Sequence, residues 1–390
     1  MSRTLGAVIA GVAAAVLAGV LLLSEETPAV VPAAPVAAAP APASAASPVP
    51  TGASPFTVEA QRAREAKLAL WQGRLARAEN TLATYRHSTR YPHEARPLLE
   101  HPDQVHPFNP IADDIPLRTP GGEPGQGVRV RTTQDRVYAS GDESVRFTVR
   151  AVDDKGQTLP LLVTRALAGD LPDRRQVAGR SQVAVNFTDA NSGDGTLSAV
   201  LQPSTQGFAD FAGTIRVQVY LNQGGQLGNV YFDVVYQPLV PAEWAGVREA
   251  LNNGSLDFFM KARVARPGRY VVSARVDDAN GKPFALLSFN DEVAAGAQEF
   301  RLTLFGKLVR DGAPAFPLTL RDVQGFLLVP DQFPDRAMLP RLAGVVHTSR
   351  SYAATSFSDA EWRSEERDRY LAELNKDVVE AGQQVDALKP

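Results

Sequence analysis

The chain has 390 residues, 44% of them apolar and 21% charged, and its 40 basic against 43 acidic side chains leave a formal net charge of −3. That balance offers no global attraction for nucleic acid. The absence of cysteine excludes disulfides, Cys-based zinc sites, thiol catalysis and a lipid anchor carried on cysteine.

From the N-terminus, Leu5 to Leu23 is a run of 19 uncharged, mostly apolar residues, with Arg3 before it and Glu25 and Glu26 after it. As a helix it would be ~28 Å long, close to the ~30 Å hydrocarbon core of a bilayer. A cleavable signal has a shorter apolar region and a small-x-small site. Ser24-Glu25-Glu26 is a poor cleavage context, so a retained anchor over residues 1–26 is favoured. With Arg3 inside and no further Lys or Arg until Arg62, the expected topology is single-pass, N-terminus cytoplasmic and bulk periplasmic, in a bacterial inner membrane. Ala7, Gly11, Ala15 and Gly19 form a small-residue face on which two such helices could associate.

Residues 27–55 hold eight prolines and eleven alanines with no charge, a composition that suits an extended spacer rather than a core. A helix is predicted over 56–86, with Leu68, Trp71, Leu75, Ala78, Leu82 and Tyr85 at alternating spacings of three and four. At the other end, within 351–390, Ser358 and Glu361 read as a capping box for a helix running to about Leu388. Its seam is Leu371, Leu374, Val378, Ala381, Val385 and Leu388. Each helix is expected to pack on the β domains, or the two to pack on each other, within one chain; the alternative is a homo-oligomeric coiled coil.

Between the helices the period changes to two. Val145, Phe147, Val149 and Ala151 alternate with polar residues, as do Ile215 to Leu221, Tyr270 to Val276 and Phe300 to Leu304. Turn signals such as Asp154-Lys155-Gly156 and Ala279-Asn280-Gly281 separate the runs. The predicted fold class is therefore mainly β: two antiparallel β-sandwiches of immunoglobulin-like type, at 126–240 and 241–350, flanked by an N-terminal and a C-terminal helix. A short helical patch, Glu243 to Leu251, is expected at their joint. Residues 87–125, rich in Pro and His, read as an extended segment lying over a domain surface.

Tyr138-Ala139-Ser140-Gly141-Asp142, Thr188-Asp189 through Gly193-Asp194-Gly195, Gly268-Arg269-Tyr270 and Phe305-Gly306-Lys307 resemble the hairpins of bacterial immunoglobulin-like and choice-of-anchor modules of envelope proteins. The resemblance covers about 220 residues and rests on turn chemistry over an alternating background. It implies a noncatalytic accessory or interaction module and brings no site residues with it.

Candidate sites are few. His87, His93, His101 and His106 fall within 20 residues of one another, and imidazoles with nearby carboxylates can bind zinc or copper. The spacing fits no helical His pair and the segment is proline-rich, so surface packing competes with a metal set of His93, His101 and His106. Asp189, Asn191 and Asp194 place oxygen donors as some calcium loops do, but lack the closing bidentate Glu, and a hairpin turn is the favoured reading. Lys307, Arg310, Asp311, Arg321 and Asp322 suggest ion pairs buttressing a sandwich edge. No nucleophile elbow, zinc-protease motif or P-loop is present. No cofactor is expected. The resulting expectation is a membrane-anchored interaction or scaffold protein, not an enzyme, that docks a protein partner in the cell envelope. A glycan- or calcium-binding module is the alternative, and an envelope hydrolase is a more distant one.

Overall fold

A computed structural model of the chain describes residues 55–119, 124–171, 182–189 and 193–389. The chain divides into two units, Met1–Arg62 and Ala63–Pro390. Of the first only the opening turns of a helix are described, so the account below concerns the second. The expected anchor at 1–26 and the spacer lie outside the described residues, apart from Pro55. Among those residues no helix is long and apolar enough to cross a membrane.

The protein is mainly β, with several antiparallel sheets and with its N- and C-terminal helices packed together. Helix α1 (Pro55–Ser88) leads into the short strand β1 (Ala95–Pro97). The first β unit then contains β2 (Ile111–Arg118), β3 (Pro124–Gln134), β4 (Tyr138–Ser140), β5 (Val145–Val152) and β6 (Thr158–Leu159). It continues with β7 (Leu162–Asp170), β8 (Val183–Ala184), β9 (Thr188–Asp189), β10 (Leu197–Leu201), β11 (Gly213–Gln223) and β12 (Gln226–Gln237). One sheet runs β2-β3-β5-β10-β9 and the other β4-β12-β11-β7-β8, with β4 and β12 parallel. Their inward residues alternate as the period of two requires. Val130, Val145, Phe147 and Val149 of one sheet meet Ile215, Val217, Val219, Phe232 and Val234 of the other in one buried cluster. The rings of Phe147 and Phe232 lie 4.7 Å apart at its centre. Leu117 closes this core against Gly228, where any Cβ would collide with the leucine side chain and the Arg118 carbonyl.

The second β unit contains β13 (Ala242–Asn252), β14 (Ser255–Val264), β15 (Gly268–Asp277), β16 (Pro283–Val293) and β17 (Gly296–Leu304). After helix α2 (Gly306–Gly312) come β18 (Thr319–Leu328), β19 (Arg336–Met338) and β20 (Leu342–Thr348), and the chain ends in α3 (Glu365–Leu388). A three-stranded sheet β13-β14-β17 faces a sheet in which β1, β16, β15 and β18 are consecutive neighbours and β18 also carries β19 and β20. Phe300 anchors their shared core, with Trp244, Tyr270 and Phe289 within 5.6 Å of it, centroid to centroid.

This second unit is not continuous in sequence. β1 pairs with β16, Ala95 is buried in the same core, and Ser288 N–H donates to the Glu94 carbonyl. The chain therefore begins the second unit, leaves to build the first, and returns. The segment 87–125 is accordingly shared: its first part belongs to the second unit, while β2 opens the first unit ahead of residue 126. The units also touch directly. Met338 N–H donates to Ser140 Oγ at 3.1 Å, and the Arg336 guanidinium lies between the Tyr138 and Phe326 rings, 5.1 and 5.0 Å from their centroids.

α1 and α3 run antiparallel. Arg64 donates to the Leu388 and Lys389 carbonyls, capping the end of α3, while Tyr85 meets Tyr370 with ring centroids 5.9 Å apart. Farther along, Arg367 Nε donates to Thr89 Oγ1. The predicted seam residues on both helices are those shielded from solvent, and Ala381 and Val385 are buried. The pairing is thus within one chain.

Two expectations are corrected. Residues Glu243 to Leu251 form strand β13, not a helical patch. A bulge between Trp244 and Gly246 spaces Trp244, Val247 and Leu251 as a helix would. Helix α3 starts at Glu365, with Ser364 Oγ accepting the Arg367 N–H; Ser358 instead accepts from Ala360, and Glu361 pairs with the Arg367 guanidinium. Both Ser-x-x motifs suit a cap, but Ser358 N–H is tied to the Gly254 carbonyl, which holds the chain extended there.

Because the protein lacks cysteine, Tyr85→Cys combined with Tyr370→Cys gives a clean test of the helix pair. A short bis-maleimide is expected to yield a cross-linked monomer. Exclusive formation of covalent dimers would assign the seam to two chains.

Candidate functional site

A largely apolar opening lies in the second unit, where strands β13 and β20 form neighbouring edges of opposite sheets. Among the described residues β13 pairs only with β14, and β20 only with β18, so each leaves backbone donors and acceptors facing outward. Both strands bulge. β13 does so at Gly246, with φ +118°, and β20 near Gly344, with φ +72°; a Cβ at either position would meet open space. Between them is a slot of about 520 Å³ lined by Trp244, Val247, Leu342, Val345 and Val346, with Met260 at its floor. Val345 is 70% exposed.

Each end of the slot is held. At one end Trp244 Nε1–H donates to the Pro340 carbonyl at 2.7 Å. At the other sits Glu249, whose side chain is only 6% exposed. Its carboxylate accepts from Arg350 N–H (2.8 Å), Tyr352 O–H (2.9 Å) and Arg350 Nε (3.2 Å), and shares a hydrogen bond with His347 Nε2 (3.0 Å). Burial pushes the Glu249 carboxyl up, but these hydrogen bonds outweigh it and hold the group below the usual carboxylate range. The cluster thereby clamps the chain after β20 onto β13.

The Pro/His segment is fastened to the second unit by two buried arginines. Arg275 is fully buried; its Nε and Nη2 donate to the Gln104 carbonyl and Oε1 at 2.9 and 2.6 Å, and Nη1 donates to the Asp322 carbonyl and Ser273 Oγ. Burial pulls its pKa down to about 10, opposed by the Asp322 carboxylate. Arg321 pairs with Asp277 and Asp322, as expected of a buttress, and also donates to the Val105 carbonyl. Lys307 forms a separate cluster with Asp311 and Asp359, and Tyr91 O–H donates to Asp311.

The structure brings His87, His93 and His101 to one groove, together with Trp362, and leaves His106 away from it. His93 pairs with Glu94 at 3.2 Å. Among the described residues no three His, Asp or Glu side chains converge to hold a metal, so His93, His101 and His106 do not form the expected set. In the acidic turn, Asp189 accepts from Gly193 N–H and Asp194 from Thr196 N–H, the backbone-capping role of a hairpin. Asn191 lies outside the described residues.

Glu249, His347, Trp244 and Trp362 were not singled out from the sequence. Glu249 and His347 are 98 positions apart, and nothing local marks either. The Gly-Val-Val-His run of β20 reads only as strand.

Neither a protein-family model nor a curated protein matches the chain. Among solved structures, a DUF4785 family protein from Legionella pneumophila is similar over 56% of this chain at 13% identity and a TM-score of 0.37; the match spans 57% of that protein. A DUF3823 family protein from Bacteroides ovatus is similar over 50% of this chain and 95% of its own, at 13% identity and a TM-score of 0.18.

Two measurements check the energetics. Arg275→Ala is expected to lower the unfolding free energy by about 3–5 kcal/mol in denaturant titration, since it strips donors from buried carbonyls; a loss below about 1 kcal/mol would remove the staple from the argument. A carboxylate whose folded pKa is depressed stabilises above its unfolded value of about 4.3 and loses that contribution as pH falls through the folded value. The protection of residues 346–352 against hydrogen exchange, relative to the intrinsic rate at each pH, should therefore fall below about pH 4, and Glu249→Gln should show the lower protection already at neutral pH.

Proposed function

We propose that the protein is a single-pass, periplasmic docking module of the bacterial cell envelope, holding a protein partner near the inner membrane. The apolar run at 5–23 anchors it, the Pro/Ala spacer and the α1–α3 pair carry the β units outward, and the second β unit receives the partner.

The strand arrangement supports an immunoglobulin-like reading of both units. In the first, β3-β5-β10-β9 follow the order A-B-E-D, and β12-β11-β7 follow G-F-C, with β4 alongside G and β8 alongside C. In the second, β13-β14-β17 correspond to A-B-E, and β20, β18, β15 and β16 to G, F, C and C′. Such sandwiches commonly present rigid faces and edges to protein partners.

The observation that carries the reading is the slot between β13 and β20. A partner segment in extended conformation can hydrogen-bond along a free edge while an apolar side chain enters between the bulges. Interfaces draw most of their affinity from a few such buried anchors. The two end clamps keep the slot formed before binding, which lowers the ordering cost of association.

A photo-reactive residue at position 345, activated in intact envelopes, is expected to trap the same partner polypeptide repeatedly. Val345→Glu, a change at an exposed position, should cut recovery of that partner at least about tenfold. Recovery unaffected by Val345→Glu, or no reproducible adduct, would count against docking at this edge.

A further inference from the structure

On the opposite edge of the second unit, two grooves meet at one indole. Trp362 lines both a groove of about 320 Å³, beside β16 and β17, and one of about 580 Å³, beside the end of α1 and β1. Their sizes fall in the range of ordinary ligand pockets. The smaller groove is walled mainly by polar side chains of mixed sign, and the larger by Arg90, Arg96, Glu100 and histidines alongside Tyr91, Pro97 and Trp362.

In the smaller groove Asn290, Asp291, Arg301 and Glu94 face the space beside Trp362. Asn290 Oδ1 accepts from Arg269 Nε at 2.8 Å, which leaves the amide donors for another acceptor. Arg301, and Arg96 of the larger groove, make no ion pair among the described residues. Arg90 Nε is buried there without a hydrogen-bond partner. Carboxylates and guanidinium groups together can satisfy hydroxyls as donors and as acceptors, whereas a groove built for an anion would carry one sign.

The backbone that carries the indole is held in place. The Trp362 backbone N–H donates to the Arg90 carbonyl at 3.0 Å; four residues earlier Ser358 N–H donates to the Gly254 carbonyl, and two residues later Ser364 caps α3. The strap carrying Trp362 is thus fixed on both sides, which lowers the ordering cost of binding there.

The geometry points to a carbohydrate-binding cleft, in which a glycan chain crosses Trp362 with sugar rings in both grooves. A pyranose ring has an apolar C–H face and a rim of hydroxyls; the face meets the indole and the rim meets the polar walls. A peptide anchor would call instead for an apolar pocket such as the one between β13 and β20. The cleft is independent of that docking edge, and either can fail without the other.

The test is calorimetric titration of the full-length chain, kept in a sugar-free zwitterionic detergent, with cellotetraose, tetra-N-acetylchitotetraose and tetragalacturonate. Saturable binding of at least one is expected. Trp362→Ala should weaken it at least tenfold and Trp362→Phe about threefold or less, because the ring face is kept. Arg301→Gln, at the groove wall, should weaken it about tenfold, the scale of one charge-assisted hydrogen bond. Should Trp362→Ala fail to fold, Arg301→Gln and Asn290→Ala decide. Absence of binding by all three probes, or affinity unchanged in the folded variants, would overturn the assignment. So would binding confined to tetragalacturonate, abolished by salt and indifferent to Trp362→Ala.

Discussion

A guanidinium with no carboxylate in contact holds the chain crossing of this protein together. Arg275 projects from the middle of a sheet into the segment that passes over it and takes up that segment's own polar groups, the carbonyl and side-chain oxygen of Gln104. The planar fork of arginine suits the task, since two donors reach one residue while a third reaches the Asp322 carbonyl on the neighbouring strand. Burying a charge in this way is costly and is offset because each of the three guanidinium nitrogens donates at least one hydrogen bond. Arg321 repeats the arrangement one strand over, reaching the Val105 carbonyl while two aspartates balance its charge.

This staple determines the organisation of everything around it. Because residues 89–107 are fixed to the second β unit, α1 is delivered to that unit's β1–β16 edge, and α3 returns to the same place through the Arg367–Thr89 contact. The first β unit is then a long excursion between β1 and β13, closed at its base by the contact of β4 with β19. Both proposed sites consequently sit on the second unit, at opposite ends of one sheet: the cleft at the β16 side and the apolar slot at the β20 side. A ligand at one leaves the other free.

Much of this was legible in the residues. The helical seams were read position by position, and Leu68 through Tyr85 and Leu371 through Leu388 are the faces that meet, because a spacing of three and four has one geometric solution on a helix. The alternating runs became the inner faces of strands for the same reason. Where local pattern failed, a tertiary cause can be named. At β13 the bulge at Gly246 shifts the period by one residue, so that a strand imitates a helix. Ser358 and Ser364 are equivalent as caps until Gly254 takes up one of them. The four histidines invite a metal reading because they are close in sequence, yet the 3-10 turn at Pro102–Gln104 lies between His101 and His106, and His106 is not in the groove that holds the other three. Glu249 and His347 carried no signal at all, since their meeting depends on two strands from different sheets.

The contrast between the two edges also has a physical origin. An open strand edge is an aggregation hazard, and bulges are one of the devices that blunt it. In β13 and β20 the glycine bulges disrupt the regular edges, and an apolar gap lies between the two strands. The gap does not close by collapse, because Trp244 is tied to Pro340 at one end and Glu249 gathers His347, Arg350 and Tyr352 at the other. On the proposed reading, the feature that protects the edge from indiscriminate pairing would also be the one that makes the site selective, open to a strand bearing a suitable apolar side chain and closed to a flat neighbouring edge.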